Sequence, residues 1–302
     1  MSPHLFIHLA LLLAMPPLLL GLATKTKAVF AGRVGPPVLQ PYYDLVKLFQ
    51  KGSVFSRTTS WVFRAGPVAS LCTALAAGTL LPLGGHAAPL SFEGDLVLFA
   101  YLFGVGRFFT VASALDTGSA FEGMGGAREA SFSVLAEPAL FFGLIVLART
   151  SGSLSLNTML GGGVGGVWRH GGAALLLVLV SLFIVLLAEN SRIPVDDPNT
   201  HLELTMIHEV MVLDHSGPAL GMIEYGAALK LFVLGAVVVR VAVPYDHHAY
   251  LAWGVFAAGM AALAIAIGVV ESVMARLRML QVPVLLVAAC LLSAFGIVMV
   301  AR

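Results

Sequence analysis

The chain has 302 residues, of which 59% are hydrophobic and 11% charged, and its formal net charge at pH 7 is +1. Soluble globular domains carry roughly a quarter of their residues as charges, so this composition excludes one and fits a polytopic membrane protein. No nucleic-acid partner is expected; the expected environment is a lipid bilayer.

Runs of about 20 apolar residues, enough to cross a hydrocarbon layer of about 30 Å as a helix, occur at about eight places. They are residues 5–24, 62–83, 92–115, 131–150, 171–188, 221–241, 251–271 and 281–300. The runs are continuous rather than alternating, and lipid offers no partner to backbone N–H and C=O groups, so helices are predicted and a barrel is not. The predicted fold class is all-α: a polytopic membrane helix bundle of about eight transmembrane helices, with an amphipathic helix and cytoplasmic loops, forming a single integral membrane domain over residues 1–302. The first run lacks a small-residue cleavage site after a basic leader and reads as a retained span.

After this run, GRVGPPVLQPYYDLVKLFQKGSVFS occupies residues 32–56. Gly-Pro-Pro cannot be helical throughout, but residues 42–50 place Tyr42, Leu45, Val46 and Phe49 on one helical face. This is an amphipathic interfacial helix, serving as a membrane-surface anchor, as a docking surface for a peripheral subunit, or as both. Residues 84–89, 160–172 and 243–250 read as turns. GGGVGG at residues 161–166 lacks the preceding strand and the following Lys-Ser/Thr of a phosphate loop, so it reads as a linker.

Cys72 and Cys290 both fall in predicted spans without a C-x-x-C partner and read as small buried side chains. They offer no site for an iron-sulfur cluster or a thiolate-bound nickel. His247 and His248, beside Asp246, read as solvated loop residues rather than metal ligands, and no metal site is expected.

Basic residues set the orientation. With the first loop cytoplasmic, the inner side and its flanks hold Lys25, Lys27, Arg33, Lys47, Lys51, Arg57, Arg64, Arg128, Arg192, Arg276 and Arg278, and the outer side holds only Arg149, Arg169, Arg240 and Arg302. The cytoplasmic loops then lie near residues 25–61, 116–130, 189–220 and 272–280, and both termini face outward. The third of these loops is unusual. Between residues 188 and 217 stand Glu189, Asp196, Asp197, Glu203, Glu209 and Asp214, six of the sixteen acidic residues of the chain, together with Arg192. Charge concentrated between two apolar runs tends to mark ion or proton handling.

Four stretches, GPPVLQPYYDLVKL, GGAREASFSVLAEPAL, AENSRIPVDDPNTHLELTMIHE and LDHSGPALGMIEYGAALKLF, occur in this order. In them the chain resembles the subunit 1 family of respiratory NADH dehydrogenase, which includes the membrane-anchor subunits of energy-converting group 4 nickel-iron hydrogenases such as the formate hydrogenlyase type. Complex I relatives usually show A-E-x-x-R-x-P-F-D-L-x-E after the fifth span. This chain has Ile193-Pro194-Val195-Asp196-Asp197-Pro198 there, and Pro41-Tyr42-Tyr43-Asp44 earlier, both similar to the hydrogenase branch.

The resemblance implies a membrane-anchor and coupling subunit in a bacterial or archaeal cytoplasmic (inner) membrane. It would dock the soluble nickel-iron hydrogenase large and small subunits, with iron-sulfur subunits and an antiporter-like membrane subunit as further partners. The nickel-iron centre and iron-sulfur clusters belong to those partners, no cofactor is expected in this chain, and it is not expected to be catalytic alone. Two alternatives are a quinone-chamber subunit 1 of respiratory complex I and a purely structural anchor. A stand-alone secondary transporter would show internal repeats, and no convincing one is present.

A carboxylate taken toward a low-dielectric interior loses hydration, and nearby cations compensate, so such a group can exchange a proton. Glu137, Glu189 and Glu224 are expected at membrane depth on one side, with Lys230 six residues beyond Glu224. They resemble the start of the glutamate-lined route by which this family links its cytoplasmic chamber to antiporter-like subunits; the competing reading is structural ion pairs or snorkelling end residues. Arg128, Glu129, Arg192, Asp196, Asp197, Glu203, Glu209 and Asp214 are assigned to the interface and coupling loops. His201 and His208 are read as ordinary polar residues, and Arg107 and Glu271 as secondary candidates.

Overall fold

The computed structural model describes residues 3–161, 164–196, 206–243 and 249–301. Asp197, Glu203, His201, Asp246, His247 and His248 lie outside them. Among the described residues ten α-helices follow in order: α1 (Pro3–Phe30), α2 (Gln40–Gln50), α3 (Trp61–Thr79), α4 (Asp95–Asp116), α5 (Ala120–Ser151), α6 (Leu156–Met159), α7 (Val164–Glu189), α8 (Gly217–Ala242), α9 (Ala249–Val273) and α10 (Val282–Val300). Among the described residues seven segments are long and apolar enough to cross a membrane: α1, α4, α5, Gly171–Glu189 of α7, α8, Tyr250–Val273 and Met279–Val300.

The eighth predicted run, residues 62–83, does form a long helix, α3, but its small and hydroxylated residues leave it less apolar than the seven. It lies antiparallel against α4. The Asp116 carboxylate at the end of α4 accepts from Ser60 N (2.6 Å) and Phe63 N (3.2 Å), filling donors that every helix start leaves open. In mid-helix Gly106 meets Thr73 and Ser70, so the backbones approach closely.

The long helices alternate in direction. One end of the bundle gathers residues 27–61, 116–125, 189–217 and 271–281, and is called the charged end below; the opposite end gathers the start of α1, residues 80–94, α6 and the start of α9. At that opposite end Trp168 Nε1 donates to Val241 O (2.8 Å), and Asp95 accepts from Leu156 N (2.6 Å). The core runs through the middle on Leu, Val and Phe side chains, and α8 is its centre, buried along most of its length.

α2 leans into the groove between α1 and α8. The chain returns alongside α1 so closely that a Cβ on Gly21 would stand 1.8 Å from Val38 O. Gly217, at φ +54°, leaves room for the Gly52 carbonyl, which a Cβ would meet at 2.5 Å. Pro17 has no N–H for the Leu13 carbonyl four residues earlier; Tyr225 Oη of α8 donates to it at 2.7 Å, and Tyr42 of α2 donates to Ala14 O. The packed face of α2 is therefore Tyr42, Leu45, Leu48 and the ring edge of Phe49 against Gly221, whereas Val46, expected on that face, is exposed beside Tyr43.

Other expectations are corrected. Arg128 and Glu129, read as loop residues, stand on α5, which begins at Ala120 because the groups of its first turns find partners inside the protein. The stretch read as a turn over 160–172 is helical from Val164, with a break in helical geometry at Gly171. Cys72 is exposed, on a helix face turned away from the core, whereas Cys290 is half-buried against the core with its thiol donating to Leu135 O.

Candidate functional site

The centre of the site is a guanidinium in the middle of an apolar helix. Arg107 of α4 has a side chain only 8% exposed, and such a charge persists at depth only when paired. Three carboxylates meet it. Glu129 of α5 accepts from Nε at 3.2 Å, Glu137 two turns further along α5 accepts from Nη1, and Glu189 at the end of α7 accepts from Nη2. Glu189 also pairs with Lys230 Nζ of α8 at 2.7 Å. A carboxylate at a helix C-terminus opposes the negative end of the helix dipole, and at 4% side-chain exposure Glu189 needs both cations. Four helices thus converge on one cluster, with three negative and two positive groups when all are ionised.

The cluster opens on a cavity of about 70 Å³, lined also by Ser70, Thr73, Thr110, Asn190, Ser191 and His208. That is room for several waters, and the hydroxyl and amide groups supply the partners that buried water requires. A second cavity of about 130 Å³ is lined by Arg192, Asp196, His208, Glu209 and Glu224. Asn190, Ser191, His208 and Ala227 line both, so the two share a wall. Larger clefts between α5, α7 and α10 at the opposite end are lined by apolar, hydroxyl and amide side chains among the described residues.

Residues beyond α7 are fixed over the second cavity by ion pairs. Glu271 of α9, whose side chain is fully buried, pairs with Lys27 (3.1 Å) and Arg192 (3.3 Å). Buried Asp196 pairs with Arg276 (2.9 Å) and accepts from Ile207 N (2.9 Å). Arg128 donates to Met206 O at 2.7 Å. On the other flank, His215 stacks on Phe63 with ring centroids 3.9 Å apart and its Nε2 lies 3.1 Å from Ser113 Oγ. Burial holds its pKa down to about 4, against the opposing pull of Asp214, so it is neutral at ordinary pH. Asp214 N donates to the buried Glu122 carboxylate (3.0 Å).

Of the expected proton-path residues, Glu137, Glu189 and Lys230 come together, while Glu224 lines the adjoining cavity. Glu137 is the outermost, with a side chain 46% exposed on the bundle flank. Glu129, assigned to the interface, belongs to the Arg107 cluster instead, and Glu209 faces Glu224 across the second cavity. The hub, Arg107, was only a secondary candidate, although a lone arginine inside α4 is itself a demand for carboxylate partners. His208, set aside, stands in the wall common to both cavities; nothing in its spacing from His201 indicated that.

The family model described as NADH dehydrogenase matches residues 3–302. Formate hydrogenlyase subunit 4 of Escherichia coli K12 is 33% identical over 283 residues, covering 90% of each chain. Hydrogenase-4 component C of the same organism is 31% identical, over 78% of this chain and 74% of that one. An NADH-quinone oxidoreductase subunit of Rubrobacter xylanophilus is 30% identical, over 68% of this chain and 62% of its own. Among solved structures, a chain of the membrane-bound sulfane sulfur reductase, an archaeal respiratory membrane complex, superposes with a TM-score of 0.83 at 20% identity, covering 98% of this chain and 99% of its own. That likeness is one of fold.

Proposed function

The chain belongs to the NADH dehydrogenase family, and from that premise we propose that it is the membrane-anchor and coupling subunit of a hydrogenase-type complex. The similarity to formate hydrogenlyase subunit 4 over nine-tenths of both chains supports the hydrogenase branch over the quinone-reducing one. In this reading the charged end is cytoplasmic, lies at the inner membrane and receives a soluble nickel-iron arm with its iron-sulfur subunits. The nickel-iron and cluster chemistry is theirs. This chain contributes groups that hold and move protons.

The observation that carries the reading is the pair of polar cavities sharing a wall, one lined by Glu224 and Glu209, the other closed by the Arg107 cluster. Electron arrival beside residues 190–216 adds negative charge near Glu224, and a proton taken up there offsets it. Water in the two cavities passes that proton to the Glu189–Lys230 pair. Reorganisation of the pair around Arg107 then delivers it to Glu129 and Glu137, the latter facing outward toward an antiporter-like neighbour. The fixed ion pairs of Glu271 and Asp196 hold Arg192 and the segment around it against the cavity, so the field change acts on a set geometry.

The test is Glu224→Gln and, separately, Glu137→Gln in the assembled complex. Hydrogen turnover that persists while its coupling to membrane potential is lost supports the proposal. Intact assembly with turnover and coupling both unchanged makes the chain a plain anchor.

A further inference from the structure

At the charged end, two groups of cations stand out. Lys27, Arg107, Arg192, Lys230 and Arg276 are matched to carboxylates. Arg33, Lys47, Lys51, Arg57 and Arg64 are exposed, and among the described residues none of them forms a salt bridge. Four lie in the segment joining α1 to α3 and Arg64 in the first turn of α3, so that residues 25–64 carry seven cations and a single acid, Asp44; no other acid precedes Glu93. Asp44 is engaged by Gln40 within α2.

These unmatched cations alternate with exposed apolar and aromatic side chains. Tyr43 and Val46 of α2 point away from the bundle, Phe49 is half-exposed with its ring edge against Gly221 of α8, and Trp61, 71% exposed, opens α3. Arg64 lies over the Phe55 ring at 4.7 Å. The placement of α2 gives the pattern its meaning: its start is bonded to α1 through Tyr42 and Ala14, and the glycine after it abuts Gly217 at the start of α8. The helix therefore runs along the flank of α1 and α8 from mid-α1 to the start of α8, with Tyr43 and Val46 on its outer side and Lys51 at the level where α8 begins. Trp and Tyr favour that level, and a polybasic segment beside it is attracted to anionic lipid, each cation contributing about fivefold.

We propose that residues 25–64 form a collar that binds anionic phospholipid of the adjoining leaflet, separate from the proton-handling cavities. The aromatic face seats among the acyl chains, and Arg33, Lys47, Lys51 and Arg57 contact the phosphates. Charge complementarity favours a lipid surface: the collar presents apolar and cationic groups in the same stripe, and Glu122, Glu189, Asp196 and Glu271 of this end are buried away from it.

The test uses the full chain in nanodiscs with Trp168 and Trp253, both at the opposite end, replaced by Phe, so that Trp61 is the one indole. At equal mole fraction, brominated phosphatidylglycerol should quench Trp61 roughly threefold or more over brominated phosphatidylcholine. In the Arg33→Gln, Lys47→Gln, Lys51→Gln, Arg57→Gln variant the two lipids should quench alike. Equal quenching with the collar intact, or an unchanged preference in the variant, overturns the proposal. So does a variant that keeps its lipid preference but loses the soluble subunits on purification, which makes the collar a protein-docking face. Should that variant not fold, the unsubstituted chain decides: co-purifying phosphatidylglycerol falls several-fold at high salt if the attraction is electrostatic, and no fall overturns it.

Discussion

Replacing Glu189 by Gln removes the one carboxylate within salt-bridge distance of Lys230 among the described residues while preserving shape and a hydrogen-bond acceptor for Arg107. At 2.7 Å the direct attraction is about 6 kcal/mol for an effective dielectric of 20. Breaking a buried pair from one side costs about 3–5 kcal/mol, because the stranded charge stays behind. The Lys230 side chain is 22% exposed, which places the expected loss near the lower figure, about 3 kcal/mol. Lys230→Met is milder, since Glu189 keeps Arg107, and the double variant strands no charge. Thermal unfolding of the three variants in nanodiscs closes a double-mutant cycle. Glu189→Gln should lower the midpoint by on the order of 5–10 °C. The double variant should recover a coupling of about 2 kcal/mol. Additive losses, or a neutral Glu189→Gln, would refute the claim that this pair is held together against burial.

Asp196→Ala breaks the ion pair to Arg276 and removes the acceptor for Ile207 N, so the segment over 206–216 should become protease-sensitive at a temperature where the helices remain folded, with an overall loss of about 3 kcal/mol. His215 is neutral when folded, with a pKa near 4 against 6.5 unfolded. The unfolded chain thus binds the extra proton between those values, and stability present above pH 6.5 is lost as the pH falls toward 4, by about 3 kcal/mol in all. His215→Phe keeps the stack on Phe63 and should remove that component, read as the difference between the two pH profiles. Gly21→Ala forces the α1 backbone from Val38 and should cost about 2 kcal/mol or more, seen as a lowered unfolding midpoint.

Much of the fold was legible because lipid permits few solutions. Each long apolar run became a helix, including residues 62–83, whose serine, threonine and small residues lower its apolarity where it packs on α4 and α8. Helix starts were harder to read. α5 begins eleven residues before the apolar run it contains, since Glu122, Arg128 and Glu129 look like loop charges until their partners Asp214 N, Met206 O and Arg107 are known. At the site, Glu137, Glu189 and Lys230 were legible as candidates from their depth and the family resemblance. Their arrangement around Arg107 was not, because sequence does not say which helices adjoin. The role of His208 in the common wall depends on how residues 206–216 pack under α8, which no periodicity encodes.

The central claim is that carboxylates at the charged end change protonation when a redox partner is reduced, and infrared difference spectroscopy of the purified complex measures this directly. On reduction a protonated-carboxyl band should appear, and Glu224→Gln should abolish or shift it with the redox centres still reducible. A reduced complex with no carboxyl band, or with one untouched by both Glu224→Gln and Glu189→Gln, would contradict the account.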